Sequence, residues 1–96
     1  MATLMIRARV EDYERWRPLY ERAAARAGAR MTCYRIWRGL DDRNLVYVAE
    51  TFSSREAGEQ LLADPAIQAE MAEHGVDATS VQVAWVDEVA STAGAA

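Results

Sequence analysis

The chain has 96 residues, 51% of them hydrophobic and 27% charged, with a formal net charge of -4. That balance describes a folded globular chain rather than a disordered one, and its acidity argues against a surface that tracks nucleic-acid phosphates, which needs clustered cations. No apolar run approaches the roughly 20 residues that cross a bilayer, and no basic segment followed by an apolar core opens the chain.

The expectation is therefore a soluble, unprocessed, cytoplasmic protein with neither a membrane nor a nucleic-acid partner. Residues 1–90 read as one domain and 91–96, small and half of them Ala, as a loose tail. A chain this short buries only about 60 to 65% of its unfolded surface, so its core is modest and would gain from a partner.

In the first strand, residues 4–10, Leu4, Ile6, Ala8 and Val10 alternate with Met5, Arg7 and Arg9. This period of two assigns the aliphatic set to a packed face and the Arg pair to the other. Asp12 is placed to cap a helix whose stripe is Tyr13, Trp16, Tyr20, Ala23, Ala24 and Ala27, and Gly28 is a natural stop. Pro18 lacks an amide hydrogen and its ring collides with the carbonyl four residues back, which predicts a kink or irregular turn over residues 14–18.

Residues 31–38 form the second strand. The run Gly39-Leu40-Asp41-Asp42-Arg43-Asn44 supplies turn chemistry for a hairpin into the third, residues 45–52, whose strongly apolar character suits a central position. Ser53-x-x-Glu56 reads as a capping box for the second helix. That helix is expected to restart at Asp64-Pro65, with Asp64 as cap and Pro65 in the first turn, and to end at Gly75. Its stripe is Ala57, Leu61, Leu62, Ile67 and Met71.

The last strand is expected over residues 81–89, with Val81, Val83 and Trp85 on one face and Gln82, Ala84 and Val86 on the other. The order βαββαβ is the ferredoxin-like α+β plan, a four-stranded antiparallel sheet with two helices on one face. If the second face met water it should be polar. Instead Met5, Tyr47 and an aromatic-bearing face of the second and fourth strands require cover, and two sheets face to face would form a homodimer with a closed or partly closed barrel.

Several chemistries are excluded by composition. All eleven basic residues are Arg, so Schiff-base chemistry and a phosphate-binding P-loop Lys are ruled out. Cys33 and His74 are each alone, which leaves no intrachain disulfide and no usual zinc or iron-sulfur site. No Gly-rich fingerprint follows a strand. The expectation is a protein without cofactor or metal, in a reducing compartment.

His74, in the last turn of the second helix, reads either as a protonated cap favoured by the helix dipole or as a catalytic base. Arg7, Arg9, Arg35 and Glu50 are charges within strands, read either as cross-strand or intersubunit pairs or as polar anchors for an anionic ligand. Arg35 and His74 are the catalytic candidates. Trp16, Tyr20, Trp37, Tyr47 and Trp85 are the candidate ligand-binding residues, because Trp and Tyr offer broad apolar faces with one polar tip. Within this set Tyr47 and Trp85 are expected to wall a cavity between sheet and helices, with Trp16 and Tyr20 as its roof. Cys33 is expected to be a small buried side chain. Ten of the eleven Arg lie in residues 7–43 while most acids follow. That asymmetry suits solvated ion pairs such as Glu11 with Arg15, complementarity between two copies, or an Arg-lined mouth for an anion.

The βαββαβ order, Asp12-Tyr13-x-x-Trp16, the Asp41-Asp42-x-Asn44 hairpin and Glu50-x-Phe52-Ser53-Ser54 together resemble the dimeric α+β barrel superfamily. Within it the likeness is to antibiotic biosynthesis monooxygenase-like proteins and small actinobacterial cyclase or monooxygenase-like proteins, over roughly residues 3–89. The resemblance implies a homodimer with a pocket between each sheet and its own helices, acting on a small aromatic or polyketide-like molecule as a cofactor-independent monooxygenase or cyclase. A non-catalytic binding or accessory protein on the same scaffold is the competing class. The haem-degrading branch uses an Asn on the first strand and Trp plus His on the second helix. This chain has Arg7 and Arg9 on the first strand and no Trp on the second helix, a departure that argues against haem degradation.

Overall fold

The alternation in the first and third strands is realised as the centre of one sheet. The computed structural model describes residues 1–92. Its strands are β1 (Ala2–Arg9), β2 (Met31–Arg38), β3 (Leu45–Phe52) and β4 (Gln82–Val86). Its helices are α1 (Tyr13–Ala27), α2 (Arg55–Ala63) and α3 (Pro65–Glu73). The sheet order is β2-β3-β1-β4 and every pairing is antiparallel, which is the ferredoxin-like arrangement expected. The expected tail falls partly outside the described residues.

Register sorts the side chains. Leu4 lies opposite Glu50, Ile6 opposite Val48 and Ala8 opposite Val46, so these residues share the helix-covered face. Tyr34, Ile36 and Arg38 of β2 and Val83 and Trp85 of β4 join them by pairing. The opposite face carries Met5, Arg7, Tyr47, Ala49, Cys33, Arg35, Trp37, Gln82 and Ala84.

The core has two parts. Ala8, Val10, Tyr13, Trp16, Val46 and Val48 pack beneath the first half of α1. Leu4, Ala27, Phe52 and Leu61 pack where the end of α1 meets α2. On β3 the residue between Val48 and Phe52 on this face is Glu50, the one buried charged residue among those described.

The helix ends follow their sequence signals. The carboxylate of Asp12 accepts the Glu14 amide at 3.0 Å, that of Asp64 accepts the Ala66 amide at 2.9 Å, and Pro65 opens α3. Gly28 and Gly75 both take positive φ, 63° and 82°, where a side chain would be strained. The Asn44 side chain accepts the Tyr13 amide at 3.2 Å, tying the β2–β3 hairpin to the start of α1.

Four local expectations are corrected. α1 runs unbroken through Pro18. Pro18 and Glu14 are both exposed, so the carbonyl that loses its helical partner lies on the solvent side, where water can satisfy it. The cap of α2 is Ser54, whose hydroxyl accepts the Ala57 amide at 3.1 Å, one residue later than the Ser53 box. β4 ends at Val86 rather than at 89, and Cys33 is exposed because its parity on β2 faces away from the helices.

Gly58 of α2 is buried against Phe52 and Trp85, and a Cβ there would sit 2.4 Å from the Trp85 ring and 2.9 Å from Phe52. The Phe52 side chain is fully buried and has nowhere to move. Gly58→Ala should therefore lower stability by about 1 to 3 kcal/mol of overpacking despite the gain in helix propensity. Thermal melting checks this, with an expected drop on the order of 5 to 15 °C; an unchanged or higher midpoint would show that Trp85 swings aside freely.

Candidate functional site

Aromatic side chains on α1 face the sheet at helical spacing and continue onto β2. Tyr13 and Trp16 have ring centroids 6.0 Å apart, Trp16 and Tyr20 5.1 Å apart, and Tyr20 meets Tyr34 edge-on at 5.3 Å. At the Tyr13 end the Arg38 guanidinium lies 4.0 Å over the ring, a cation–π contact that fixes α1 to β2. At the other end the Tyr20 hydroxyl donates to Glu50 Oε2 at 2.5 Å.

Glu50 is 7% exposed and, among the described residues, has no cation within ion-pair distance. Its backbone neighbours across the sheet are Leu4 and Tyr34. Burial raises its pKa above the ordinary 4.5, opposed only in part by the Tyr20 hydrogen bond. Burial and the adjacent carboxylate likewise drive the Tyr20 hydroxyl up, so it stays protonated and donates. The expected ion pair at Glu50 is thus replaced by a neutral donor. Sequence reasoning marked this residue as a strand charge but not as the centre of a site; its parity with Val46, Val48 and Phe52 was the available signal.

The other sequence candidates are distributed over both faces. Trp16 and Tyr20 belong to this cluster. Trp85 shares the helix-covered face but lies with Phe52, at 5.8 Å between centroids, and under Arg55. Tyr47 does not wall the space beside Trp85 as expected. It occupies the open face with Trp37 and Arg35, as the β2–β3 register requires. There the Arg7 guanidinium donates to the Tyr47 hydroxyl at 3.4 Å and to Gln82 at 3.3 Å. Met5, Arg7, Tyr47, Gln82 and Ala84 border a shallow groove of about 350 Å³ on that face.

His74 follows α3 and is mostly buried, with Nε2 3.7 Å from Glu70. Glu70 is also paired with Arg26 of α1. Burial and the nearby Arg26, Arg15 and Arg22 lower the His74 pKa against the opposing pull of Glu73, which disfavours the protonated form at this helix end. Arg35 and His74 lie on opposite sides of the sheet and are not brought together. The Arg-rich first half and acidic second half meet within the chain, in Arg26 with Glu70 and in the Arg15 guanidinium donating to the Glu73 carbonyl at 3.1 Å. Among the described residues no His, Cys, Asp and Glu side chains gather as a metal-holding group, and no helix is long and apolar enough to cross a membrane.

No protein-family model matches the chain, and no curated protein gives a significant match. Solved structures do. SnoaB, a cofactor-independent oxygenase from Streptomyces nogalater, superposes with a TM-score of 0.76 at 14% identity, covering 96% of each chain. An antibiotic biosynthesis monooxygenase superposes at 0.69 with 14% identity over 94% of this chain and 100% of that one. Rv0793 from Mycobacterium tuberculosis gives 0.66 at 15% identity over 97% and 100%. This chain has the fold of the antibiotic biosynthesis monooxygenase-like proteins. The antibiotic biosynthesis monooxygenase-like fold accounts for the single helix-covered face and leaves the chemistry to the side chains upon it.

Because the folded-state pKa of Glu50 is raised, its contribution to stability is complete below the ordinary value of 4.5 and is lost as pH rises through the raised one. Glu50→Gln removes that loss while keeping an acceptor for Tyr20. The variant should gain on the wild type as pH rises from 4.5 toward neutrality, read from urea midpoints at both ends. A difference independent of pH would mean that the carboxyl is as well solvated folded as unfolded.

Proposed function

We propose that the protein is a homodimeric, cofactor-independent monooxygenase acting on a small aromatic or polyketide-like molecule held between α1 and the sheet. The observation that carries this reading is the aromatic row of Trp16, Tyr20 and Tyr34 around an enclosed carboxyl, on a fold shared with a cofactor-independent oxygenase. Aromatic walls stack on a flat ligand and exclude water from the reaction. A polar group among them selects ligands that carry a hydroxyl or an acidic C–H.

With oxygen as the oxidant, an activated ring CH₂ becomes C=O and the second oxygen atom leaves as water, the substrate supplying all four electrons. Trp16 and Tyr20 serve as ligand walls and Trp85 closes the opposite end of the same layer. His74 lies in the α1–α3 seam beside Glu70, away from the aromatic row. Arg35, Trp37 and Tyr47, on the open face, bear on ligand binding through the second copy.

Dimerisation through the open face is supported by its composition. Met5, Ala49, Ala84, Val86 and Trp37 form an apolar surface on which Trp37 is 47% and Val86 42% exposed. A patch of this kind on a small domain marks an association surface. Ala84→Arg, opposite Met5, should weaken association at least about tenfold, or ~1.4 kcal/mol, in sedimentation at micromolar concentration. A wild type that sediments as a lone protomer there removes the dimer from the proposal.

The activity is tested by oxygen uptake and product mass with an aromatic polyketide analogue bearing an activated CH₂. Uptake matched to a product heavier by the exchange of two hydrogens for one oxygen is expected. Ring closure without uptake would identify a cyclase, and a retained ligand without turnover would identify a binding protein.

A further inference from the structure

The Tyr20–Glu50 pair has a feature that the fold does not require. Of the residues on the helix-covered face of β3, Val46, Val48 and Phe52 are in the core, and only Glu50 brings a charge into it. Among the described residues its one side-chain partner is a hydroxyl on an aromatic ring. A carboxylate has about four acceptor positions, and here one side-chain donor serves them.

The pair lies close to solvent. Tyr20 and Tyr34 are half-buried rather than buried, and β2 is an edge strand, so this end of the layer meets water. The Tyr34 hydroxyl lies outward, 3.5 Å from the exposed Glu21 carboxylate. Tyr20 thus covers Glu50 from solvent with one ring and one hydrogen bond.

We propose that Glu50 is the proton acceptor of this site and that Tyr20 is a stand-in for its substrate. A phenolic or enolic ligand entering beside Tyr34 takes the Tyr20 hydroxyl's position, donates its O–H to Glu50, and gives up that proton in the reaction. The ligand O–H bond breaks, its electron pair stays on the ligand oxygen, and the proton forms the new O–H bond on the carboxyl. The electron-rich anion that remains is the form that reacts with oxygen or closes a ring. A carboxyl whose pKa is raised by burial is a stronger base than one in water, which suits it to this transfer. Tyr20 is a positioning residue. The groups facing Glu50 are Tyr20 from α1, Tyr34 from β2 and the apolar Leu4 from β1, so the carboxyl is the group placed to accept a ligand's proton.

This inference rests on the aromatic-ligand reading above, and its test separates the two. The probes are naphthol and its methyl ether methoxynaphthalene, which keeps the ring and lacks the proton. Binding to the full-length chain is followed by equilibrium dialysis. Because naphthol exchanges the Tyr20 hydrogen bond for its own, the wild type should prefer it modestly, and Tyr20→Phe, which leaves Glu50 without that donor, should prefer it by at least about tenfold, the preference expected of a hydrogen bond to a charged group. That preference should shrink as pH falls through the Glu50 pKa, because a protonated carboxyl accepts only through its neutral carbonyl oxygen and the charge-assisted hydrogen bond is lost. Glu50→Gln should abolish the pH step and leave ether binding within about threefold, since the ring contacts are unchanged. Tyr20→Phe, which removes the competing hydroxyl, should tighten naphthol several-fold without tightening the ether; a purely structural Tyr20 would weaken or spare both alike.

Equal affinity of Tyr20→Phe for both probes, or a pH step that survives in Glu50→Gln, would overturn the assignment of Glu50 while leaving the aromatic pocket standing. Failure to bind either probe would overturn both.

Discussion

The structure depends on the strict alternation of β1 and β3. Because successive strand side chains point to opposite faces, a shift of one residue in either strand would exchange the whole core for the whole open face. Leu4, Ala8, Val46, Val48 and Phe52 fix that register, and each of them is buried. Once it is fixed, Glu50 has no choice of side. It enters the apolar layer because Val48 and Phe52 do, and the chain meets the consequence with a donor from α1.

The same constraint explains why one helix can build most of a site. α1 crosses β2 and β3 with Tyr13, Trp16 and Tyr20 directed at the sheet, and β2 answers with Arg38, Ile36 and Tyr34 at every second residue. Arg38 over Tyr13 anchors one end of this seam and Tyr20 on Glu50 the other. Between them lies Ile36, packed on the core. The aromatic row is therefore held by polar contacts at its ends and apolar ones in its middle. Loss of the Tyr20 contact would free the end nearest the β2 edge without unseating the rest.

Much of this was legible in the sequence where local chemistry decides the outcome. Asp12, Asp64 and Pro65, Gly28 and Gly75 mark helix ends because orphan amides, missing amide hydrogens and positive φ have few solutions. Tertiary context decided the exceptions. Pro18 is tolerated because its unpaired carbonyl faces water, and Ser54 rather than Ser53 caps α2 because the strand runs on through Phe52. Cys33, Trp37 and Tyr47 were assignable to the open face by counting from Val46 through the hairpin, so Tyr47 was misjudged by composition where parity was available. Tyr20 meeting Glu50 was not legible. It requires the rotation of α1 about its own axis, which the heptad-like stripe leaves uncertain by a residue or two, and the lateral position of α1 over β2 and β3.

The two faces of the sheet differ in what their polar groups do. On the open face Arg7 is shared between Tyr47 and Gln82 at 3.4 and 3.3 Å, contacts at the long end of hydrogen bonding and open to water. Such groups can turn to a second copy at little cost, because solvent already satisfies them. On the helix-covered face the Tyr20–Glu50 contact is short and enclosed, and an apolar residue at position 50 would serve the core better than a carboxyl that must either stay protonated or hold charge away from water. With ten buried hydrophobic residues among those described, the core has little stability in reserve for such a group. Glu50 is thus poorly explained by what it does for the fold, and the proposed proton transfer from a molecule in the place of Tyr20 would account for its retention there.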